Sequence, residues 1–319
     1  MAQLLLALDF GGTKHTAAVM AHGEHRWRAH RRIFSAPGAD ASHDLATICS
    51  LAHDLLAGER PAAVGVSFGG PVDFCSGIVR LSHHVPGWEN TPLRAMLERE
   101  FGAPASVDND ANVAALGEHR FGAGQGCDSM MYLTVSTGVG GGWILNGQPW
   151  RGAGGMAGEI GHTVVDADGP VCLCGKRGCV ERLASGPYIA QRASEWLEIQ
   201  LDRGHILRDL AGGDVETITA QLVAQAAARG DTLAWEALEI GAWALGVGIG
   251  NAANLVNPER FVLGGGVTKA GDRWWKVVRR VARETALPQV RFDVMSAVLG
   301  DDAPLWGAVA LAKDRLTNS

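Results

Sequence analysis

A strand–turn–strand pattern occurs twice in this chain and limits the folds that it can adopt. The first copy covers residues 5–20, in which the turn Asp9-Phe-Gly-Gly-Thr13 separates two apolar strands, and the second covers residues 131–147, with Ser136-Thr137-Gly138 in the turn. Any two β-hairpins share some likeness, but both of these turns combine small residues with hydroxyls at the same place. We therefore expect two related α/β domains that face each other across a cleft.

Strands and helices alternate along most of the remaining chain. This alternation predicts a mostly parallel sheet in each domain. We expect an N-terminal α/β domain over residues 1–113 and a C-terminal α/β domain over 114–302. The closing helix at 303–316 is expected to return to the first domain.

Three of the six cysteines lie close to one histidine in the sequence. Cys172, Cys174 and Cys179 follow His162 within eighteen residues, and Gly175 and Gly178 permit a tight turn between the sulfurs. Three thiolates and one imidazole form a closed tetrahedral set that favours structural Zn²⁺. The alternative is a group of buried or disulfide-bonded cysteines.

Two acidic residues bracket this cysteine run, Glu159 on one side and Glu181 on the other. A zinc ion between them would not need to react with a substrate. It would act as a clamp that holds the two carboxylates in position.

Glycine-rich turns provide candidate phosphate sites. In Asp9-Phe-Gly11-Gly12-Thr13-Lys14 the glycines let backbone N–H groups approach an anion, and Thr13 adds a hydroxyl donor. A purely structural hairpin is the alternative. The turn at Thr137 and Gly138 could hold the same phosphate chain from the other side, and Gly264-Gly265-Gly266 suits a nucleoside or a simple strand-to-helix turn. Asp9 is placed to hold Mg²⁺ through water.

Acids also stand where a strand is expected to end and a helix to begin. In an open α/β sheet this position faces the ligand-binding crevice. Asp110 could accept a proton from a substrate hydroxyl that Asn109 orients, or it could merely cap the helix.

Composition excludes several classes of protein. The 319 residues are 47% hydrophobic and 19% charged, with a net charge of −6 and no extended run of Lys or Arg. The charge predicts no nucleic-acid partner. No apolar stretch approaches the length of a membrane-spanning helix, so no membrane partner is expected either. The N-terminus has no signal-peptide pattern, and we expect a cytoplasmic protein.

Taken together, these motifs make the chain similar to the ROK family, whose name groups repressors, open reading frames and kinases. The resemblance extends over essentially the full length. It rests on five segments, which are Asp9-Phe-Gly-Gly-Thr-Lys, Asn109-Asp110-Ala-Asn, Glu159-Ile-Gly-His162, Cys172-Leu-Cys-Gly-Lys-Arg-Gly-Cys179-Val-Glu181 and Asn257-Pro-Glu-Arg-Phe-Val-Leu-Gly-Gly-Gly266. It implies two actin-like (ribonuclease H-like) α/β domains around a nucleotide cleft, with a structural zinc knuckle in the second.

The resemblance also implies an ATP-dependent hexose kinase that uses Mg²⁺. Asp110 would remove the proton from the sugar C6 hydroxyl. Sugar hydroxyls would be bound by the side chains of Asn109, Glu159, His162 and Glu181 and by the backbone of Gly70 and Gly138. His162 would then hold zinc with one ring nitrogen and the sugar with the other. A homodimer or homotetramer is expected.

Two segments near the expected sugar pocket depart from the common family pattern, namely His83-His84-Val85 and Gly69-Gly70-Pro71. Glucose is the default sugar, with N-acetylmannosamine or N-acetylglucosamine as the alternative. His83 and His84 could equally be surface residues. A non-catalytic sugar-sensing regulator is a further reading of the family, and polyphosphate could replace ATP as the donor.

Overall fold

The computed structural model describes residues 3–12, 14–82 and 85–317, which form twelve β-strands and ten α-helices. The strands are β1 (Leu4–Phe10), β2 (Lys14–Ala21), β3 (Ala29–Phe34), β4 (Ala63–Phe68), β5 (Val72–Asp73), β6 (Ile78–Val79), β7 (Ala105–Asn109), β8 (Met130–Val135), β9 (Val139–Leu145), β10 (Gln148–Trp150), β11 (Arg260–Gly264) and β12 (Asp293–Ser296). The α-helices are α1 (Ala41–Leu56), α2 (Leu93–Phe101), α3 (Asp110–Phe121), α4 (Val180–Ala184), α5 (Gly186–Ile199), α6 (His205–Leu210), α7 (Ala220–Ala228), α8 (Thr232–Val256), α9 (Asp272–Thr285) and α10 (Ala303–Thr317).

The chain divides into two compact units. One comprises residues 1–128, 142–157 and 298–319, and the other comprises 129–141 and 158–297. The expected boundary after residue 113 falls inside α3, whereas the first unit continues to Asp128. The closing helix α10 belongs to the first unit.

A five-stranded sheet of order β3-β2-β1-β4-β7 forms the first unit. Strands β1, β2 and β3 are antiparallel neighbours, while β1, β4 and β7 run parallel. Strands β1 and β4 are buried along their whole length, as expected for strands that are covered on both faces. The hairpin β1–β2 confirms the first of the two predicted strand–turn–strand patterns.

Helix α10 packs against α3 and against strands β1 and β4 of this unit. Glycines allow the close approach: a Cβ at Gly307 would overlap the carbonyl oxygen of Val113 in α3, and one at Gly65 would overlap that of Ala308 in α10. The buried side chain of Glu118 accepts hydrogen bonds from the backbone N–H groups of Val298 and Leu299, just before α10. Helix α3 is thereby held firmly, and its first residue is Asp110.

The second sheet has the order β10-β9-β8-β11-β12, in which β8, β11 and β12 are parallel. Strands β8 and β9 confirm the second predicted strand–turn–strand pattern. Within the second unit the long buried helix α8 packs against α4, α5, α7 and α9. Across the described residues, none of the helices combines the length and the apolar character needed to cross a membrane.

Candidate functional site

Polar residues meet at the carboxyl ends of the parallel strands in the first unit. Strand register places Asp9 of β1 beside Ser67 of β4, and Ser67 beside Asp108 of β7. The chain leaves each strand one or two residues later, into the Gly11 turn, the Gly69–Gly70 turn and the start of α3. Ligands bind at such strand ends in open α/β sheets, because the loops there are free of the hydrogen-bonding ladder.

The first glycine turn is compact. The N–H of Gly11 donates to the carbonyl of Lys14 at 3.1 Å, and a Cβ at Gly11 would lie only 2.8 Å from that oxygen. The Lys14 ammonium forms an ion pair with Asp301 at 3.1 Å. Thr13, the predicted hydroxyl donor of this turn, lies outside the described residues.

Asp9 is buried beside this turn. Burial raises the pKa of its carboxyl from 3.8 to about 6, and the negative charge of Asp110 adds to the rise, while the positive charges of Lys14 and Arg32 oppose it. A bound cation would remove the unfavourable energy of a buried carboxylate. The residue therefore suits a metal ion near this glycine turn.

Helix α3 is capped by Asn109 and not by Asp110. The Asn109 side-chain oxygen accepts hydrogen bonds from the N–H groups of Ala111 and Asn112, at 3.0 and 3.4 Å. Its amide nitrogen donates to the carbonyl of Gly70 at 3.1 Å and to Oδ1 of Asp110 at 2.9 Å. The simple capping role considered for Asp110 is therefore wrong.

The Asp110 carboxylate is exposed at the helix start. Its Oδ1 also accepts a hydrogen bond from the N–H of Ala111 at 2.8 Å, which fixes its orientation together with Asn109. Its Oδ2 lies on the side of Gly69, 3.9 Å from the position that a Cβ there would occupy. An oriented, exposed carboxylate can accept a proton from a ligand hydroxyl.

Behind Asp110 lies an ion pair that the sequence did not indicate. The carboxylate of Asp108 is buried and lies 2.7 Å from Nε of Arg151. Burial raises the pKa of Asp108, and Arg151 counteracts that rise. Arg151 stands 43 residues later and follows no motif, so only the folded chain reveals the pair.

The second unit brings the four predicted metal ligands together. The ligand atoms of His162, Cys172, Cys174 and Cys179 all lie within 4.8 Å of one another. Nδ1 of His162 is 3.9 Å from Sγ of Cys172, and the sulfurs of Cys174 and Cys179 are 3.6 Å apart. A tetrahedral zinc site with ordinary bond lengths needs S···S near ~3.8 Å and S···N near ~3.6 Å. The donor set and the spacing both fit zinc.

The thiols of this cluster are free. The backbone N–H of Lys176 lowers the pKa of Cys174, whereas burial and the neighbouring thiols raise the pKa of Cys179 to about 12. A bound cation would be needed to hold all three as thiolates. The predicted glycine turns are confirmed, because Gly175 and Gly178 both have positive φ, at 86° and 61°.

Of the two acids that bracket the cluster, Glu181 touches the second glycine turn. It lies in α4, two residues after Cys179, and its Oε2 accepts the N–H of Val139 at 2.9 Å. A Cβ at Gly138 would lie 2.7 Å from the same oxygen. Glu159 is exposed and precedes the 3₁₀-helix Ile160–His162.

A cavity of about 810 Å³ lies within the second unit. Thr137 of the second turn and Gly266 of the triple-glycine segment line it. Gly138, Gly264 and Gly265 are not among its lining residues. Its other walls include Pro187, Ala224 and Lys269. Small apolar surfaces with a few polar groups are suited to a nucleoside.

Sequence reasoning missed most of this cavity, because its walls come from α5 and α7, which carry no nucleotide motif. Gly265 has a structural role beside it: its φ is 93°, and a Cβ would meet the backbone of Val135. His83 and His84, the segment of unusual sequence, lie outside the described residues.

Comparisons with known proteins agree on one family. The ROK family profile matches residues 5–315. The chain is 40% identical over 257 residues to a glucokinase of Halalkalibacterium halodurans, covering 79% of this chain and 77% of that one. It is 34% identical over 309 residues to an N-acetylmannosamine kinase of Escherichia coli, covering 97% and 98%.

The fold is similar to the crystal structure of a ROK family glucokinase from Streptomyces griseus in complex with glucose and AMPPNP. The TM-score is 0.82 at 34% identity, and the match covers 98% of this chain and 99% of that chain. The family profile spans nearly the whole sequence, and the α/β fold agrees with it. The chain belongs to the ROK family.

Proposed function

We propose that this protein is a hexose kinase that transfers the γ-phosphoryl group of ATP to the C6 hydroxyl of glucose. The observation that carries the proposal is the Asp110 carboxylate, which is exposed and oriented by Asn109 at the strand ends that also hold Asp9 and the first glycine turn. Relatives that are named glucokinases support the choice of reaction.

In the proposed reaction Asp110 acts as the general base. It takes the proton of the C6 hydroxyl as that oxygen forms a bond to the γ-phosphorus. The bond between the γ-phosphorus and the β–γ bridging oxygen breaks, and ADP leaves with the bonding electrons. Asn109 keeps Asp110 in place, because its amide donates to the Oδ1 atom. Positioning and charge stabilisation supply most of the acceleration in such transfers.

We assign the phosphates to the glycine turns and the nucleoside to the second-unit cavity. Gly11, Gly12, Thr13 and Lys14 would bind phosphate oxygens, with Thr137 and Gly138 contributing from the second turn. The segment Gly264–Gly266 would support the nucleoside, since Gly266 lines the cavity. Asp9 would hold Mg²⁺, which neutralises charge on the phosphates when it is bound.

We assign a structural Zn²⁺ to His162, Cys172, Cys174 and Cys179. The distances between their ligand atoms support this assignment. With Nδ1 of His162 directed at the sulfurs, Nε2 points away from them and remains available for a sugar hydroxyl. Because Cys179 immediately precedes α4, the metal would also fix the position of Glu181.

Glu159, His162, Glu181 and Asn109 are our proposed sugar ligands, together with the backbone of Gly70 and Gly138. Glucose is the proposed sugar. N-acetylmannosamine is the second candidate, because a relative that covers almost the entire chain is a kinase of that sugar. N-acetylglucosamine is a weaker candidate, and a non-catalytic regulator would not need the oriented carboxylate of Asp110. We also propose that the protein forms a homodimer or a homotetramer.

An ADP-release assay across six sugars tests the proposal: glucose, mannose, fructose, allose, N-acetylglucosamine and N-acetylmannosamine. We expect the highest kcat/KM with glucose and no turnover by Asp110→Asn. Polyphosphate replaces ATP in a parallel series, with sugar phosphate as the readout. Preference for an N-acetylated sugar would keep the kinase and correct the substrate. No turnover with any sugar and either donor would contradict the proposed function.

A further inference from the structure

We propose that Arg151 and Asp108 act as a positioning pair for the general base, so that their ion pair sets how well Asp110 works. This inference rests on the proposed function of Asp110 and adds two residues to it. Both act through the backbone and side chain of Asn109.

Asp108 is held on both of its oxygens. Oδ2 accepts Nε of Arg151 at 2.7 Å, and Oδ1 accepts the N–H of Asn109 at 2.8 Å and the amide of Asn112 at 3.3 Å. The carboxylate is almost entirely buried, with 2% of its side chain exposed. Removing one partner of such a pair leaves a buried charge without compensation, which is far less favourable than exchanging both partners.

Arg151 is itself fixed from several directions. Its guanidinium lies over the ring of Phe74, 3.5 Å from the ring centre, and donates to the carbonyl of Pro149. Its own carbonyl accepts the N–H of Ala157 at 3.0 Å, which closes the loop between them. Arg151 therefore joins three segments of the first unit: the start of α3, the stretch at Phe74, and the loop that leads towards Glu159.

These contacts form a continuous chain from Arg151 to the base. Arg151 fixes Asp108, and Asp108 fixes the N–H of Asn109. Asn109 caps α3 and donates to Asp110. Each step is a hydrogen bond of 3.0 Å or shorter. A displacement of Arg151 should therefore also displace Asn109 and Asp110. Displacements of about 1 Å at a catalytic group can lower turnover about a hundredfold.

Arg151 also influences the charge state of Asp108. Burial raises the pKa of the Asp108 carboxyl, and the positive charge of Arg151 lowers it. Without Arg151, the buried carboxyl would either stay charged without a partner or take up a proton, and both states make its present arrangement less favourable. We therefore expect the geometry of the base to depend on Arg151.

Four variants test the pair: Arg151→Met, Asp108→Asn, the double variant, and Arg80→Met as a matched control. Arg80 pairs with Asp73 at 2.6 Å in the same unit but is half exposed. We expect Arg151→Met to lower kcat at least about tenfold, with KM for ATP and glucose changed less than about threefold. Arg80→Met should match the wild type.

The double variant separates charge compensation from simple damage to the fold. It removes the uncompensated charge, so we expect it to recover kcat and melting temperature relative to Arg151→Met. Asp108→Asn is near-isosteric and should fold even if Arg151→Met does not. We expect about a tenfold loss of kcat in Asp108→Asn at unchanged KM.

Wild-type kcat in Asp108→Asn would overturn the inference. So would a loss in Arg151→Met that is confined to KM, or one that the double variant fails to recover. Failure of the proposed function looks different, because the wild type itself would then transfer no phosphoryl group. In that case the melting temperatures of the four proteins still test whether the two residues are coupled.

Discussion

The carboxylate of Glu181 accepts a hydrogen bond from the backbone N–H of Val139 at 2.9 Å, and the same oxygen lies 2.7 Å from the position of a Cβ at Gly138. This contact joins the helix that follows Cys179 to the second glycine turn. Two motifs that are separated by about forty residues of sequence thus meet within one unit. A substitution in either motif should therefore alter the geometry of the other.

Gly138→Ala should disturb this contact directly. The added Cβ would lie 2.7 Å from Oε2 of Glu181, so the carboxylate or the turn must move. We expect kcat/KM for glucose to fall about tenfold while the melting temperature changes little. Gly154→Ala is the control, because nothing lies within 4 Å of its Cβ position. Equal kinetics for the two variants would argue against a role for the Glu181–turn contact.

Asp110→Asn should abolish turnover without unfolding the protein. The amide keeps the size of the side chain and loses the ability to accept a proton, so we expect kcat to fall at least about a thousandfold, which leaves no turnover detectable in these assays. The cap of α3 is supplied by Asn109, and the melting temperature should therefore stay within about 2 °C of the wild type. Steady-state kinetics and glucose binding by calorimetry check both parts. Near-normal kcat would refute the base assignment.

Cys174→Ser should weaken metal binding and stability together. One of four ligands becomes a hydroxyl, and structural zinc contributes its binding energy to folding. We expect metal analysis to give one zinc per wild-type chain and much less in the variant, with a melting temperature lower by about 5 °C or more. Cys75→Ser serves as control, since Cys75 is exposed and lies outside the cluster. A zinc-free wild type and an unchanged melting temperature in Cys174→Ser would contradict the structural zinc site.

Asp9→Asn should stabilise the metal-free protein at high pH. The pKa of Asp9 is about 6 when folded against 3.8 as the reference, so the folded state binds its proton more tightly. The protein is therefore most stable with respect to this group below about pH 4, and that stability is lost as pH rises through 6. The neutral variant avoids the loss and should gain up to about 3 kcal/mol at pH 8, while its kcat falls.

Denaturant unfolding at pH 5 and pH 8 without Mg²⁺ measures this effect. Asp73→Asn is a control of opposite sign, because the backbone N–H of Ser76 lowers the pKa of Asp73. Its carboxylate favours folding above the reference pKa, so the variant should lose stability at pH 8. A loss of stability at pH 8 in Asp9→Asn as well would contradict the burial account of Asp9.

Local patterns were enough to predict the parts of the site that lie close together in sequence. The two strand–turn–strand segments are present, and the four ligands from His162 to Cys179 converge as their spacing predicted. In each case neighbouring residues determine the geometry, because glycines and short turns permit only a few backbone paths. Capping of α3 by Asp110 was only the alternative to a catalytic role, and the structure gives the cap to Asn109, the residue before it.

Long-range contacts could not be predicted in the same way. Asp108 and Arg151 pair only because β7 and the segment after β10 lie together in the folded unit. The cavity walls come from α5 and α7, whose sequences show only helical periodicity. The expected boundary at residue 113 lies inside α3, which contacts α10, a helix that follows almost two hundred residues later in the chain.

The formation of glucose 6-phosphate from glucose and ATP is the most direct test of phosphoryl transfer with Asp110 as the base. Purified wild-type protein and Asp110→Asn are compared with Mg²⁺ present, and the product is followed by ³¹P NMR. We expect a C6 phosphate ester that accumulates in step with ADP in the wild type and is absent in the variant. Equal product from both proteins, or no sugar phosphate from the wild type with any hexose tested, would contradict it.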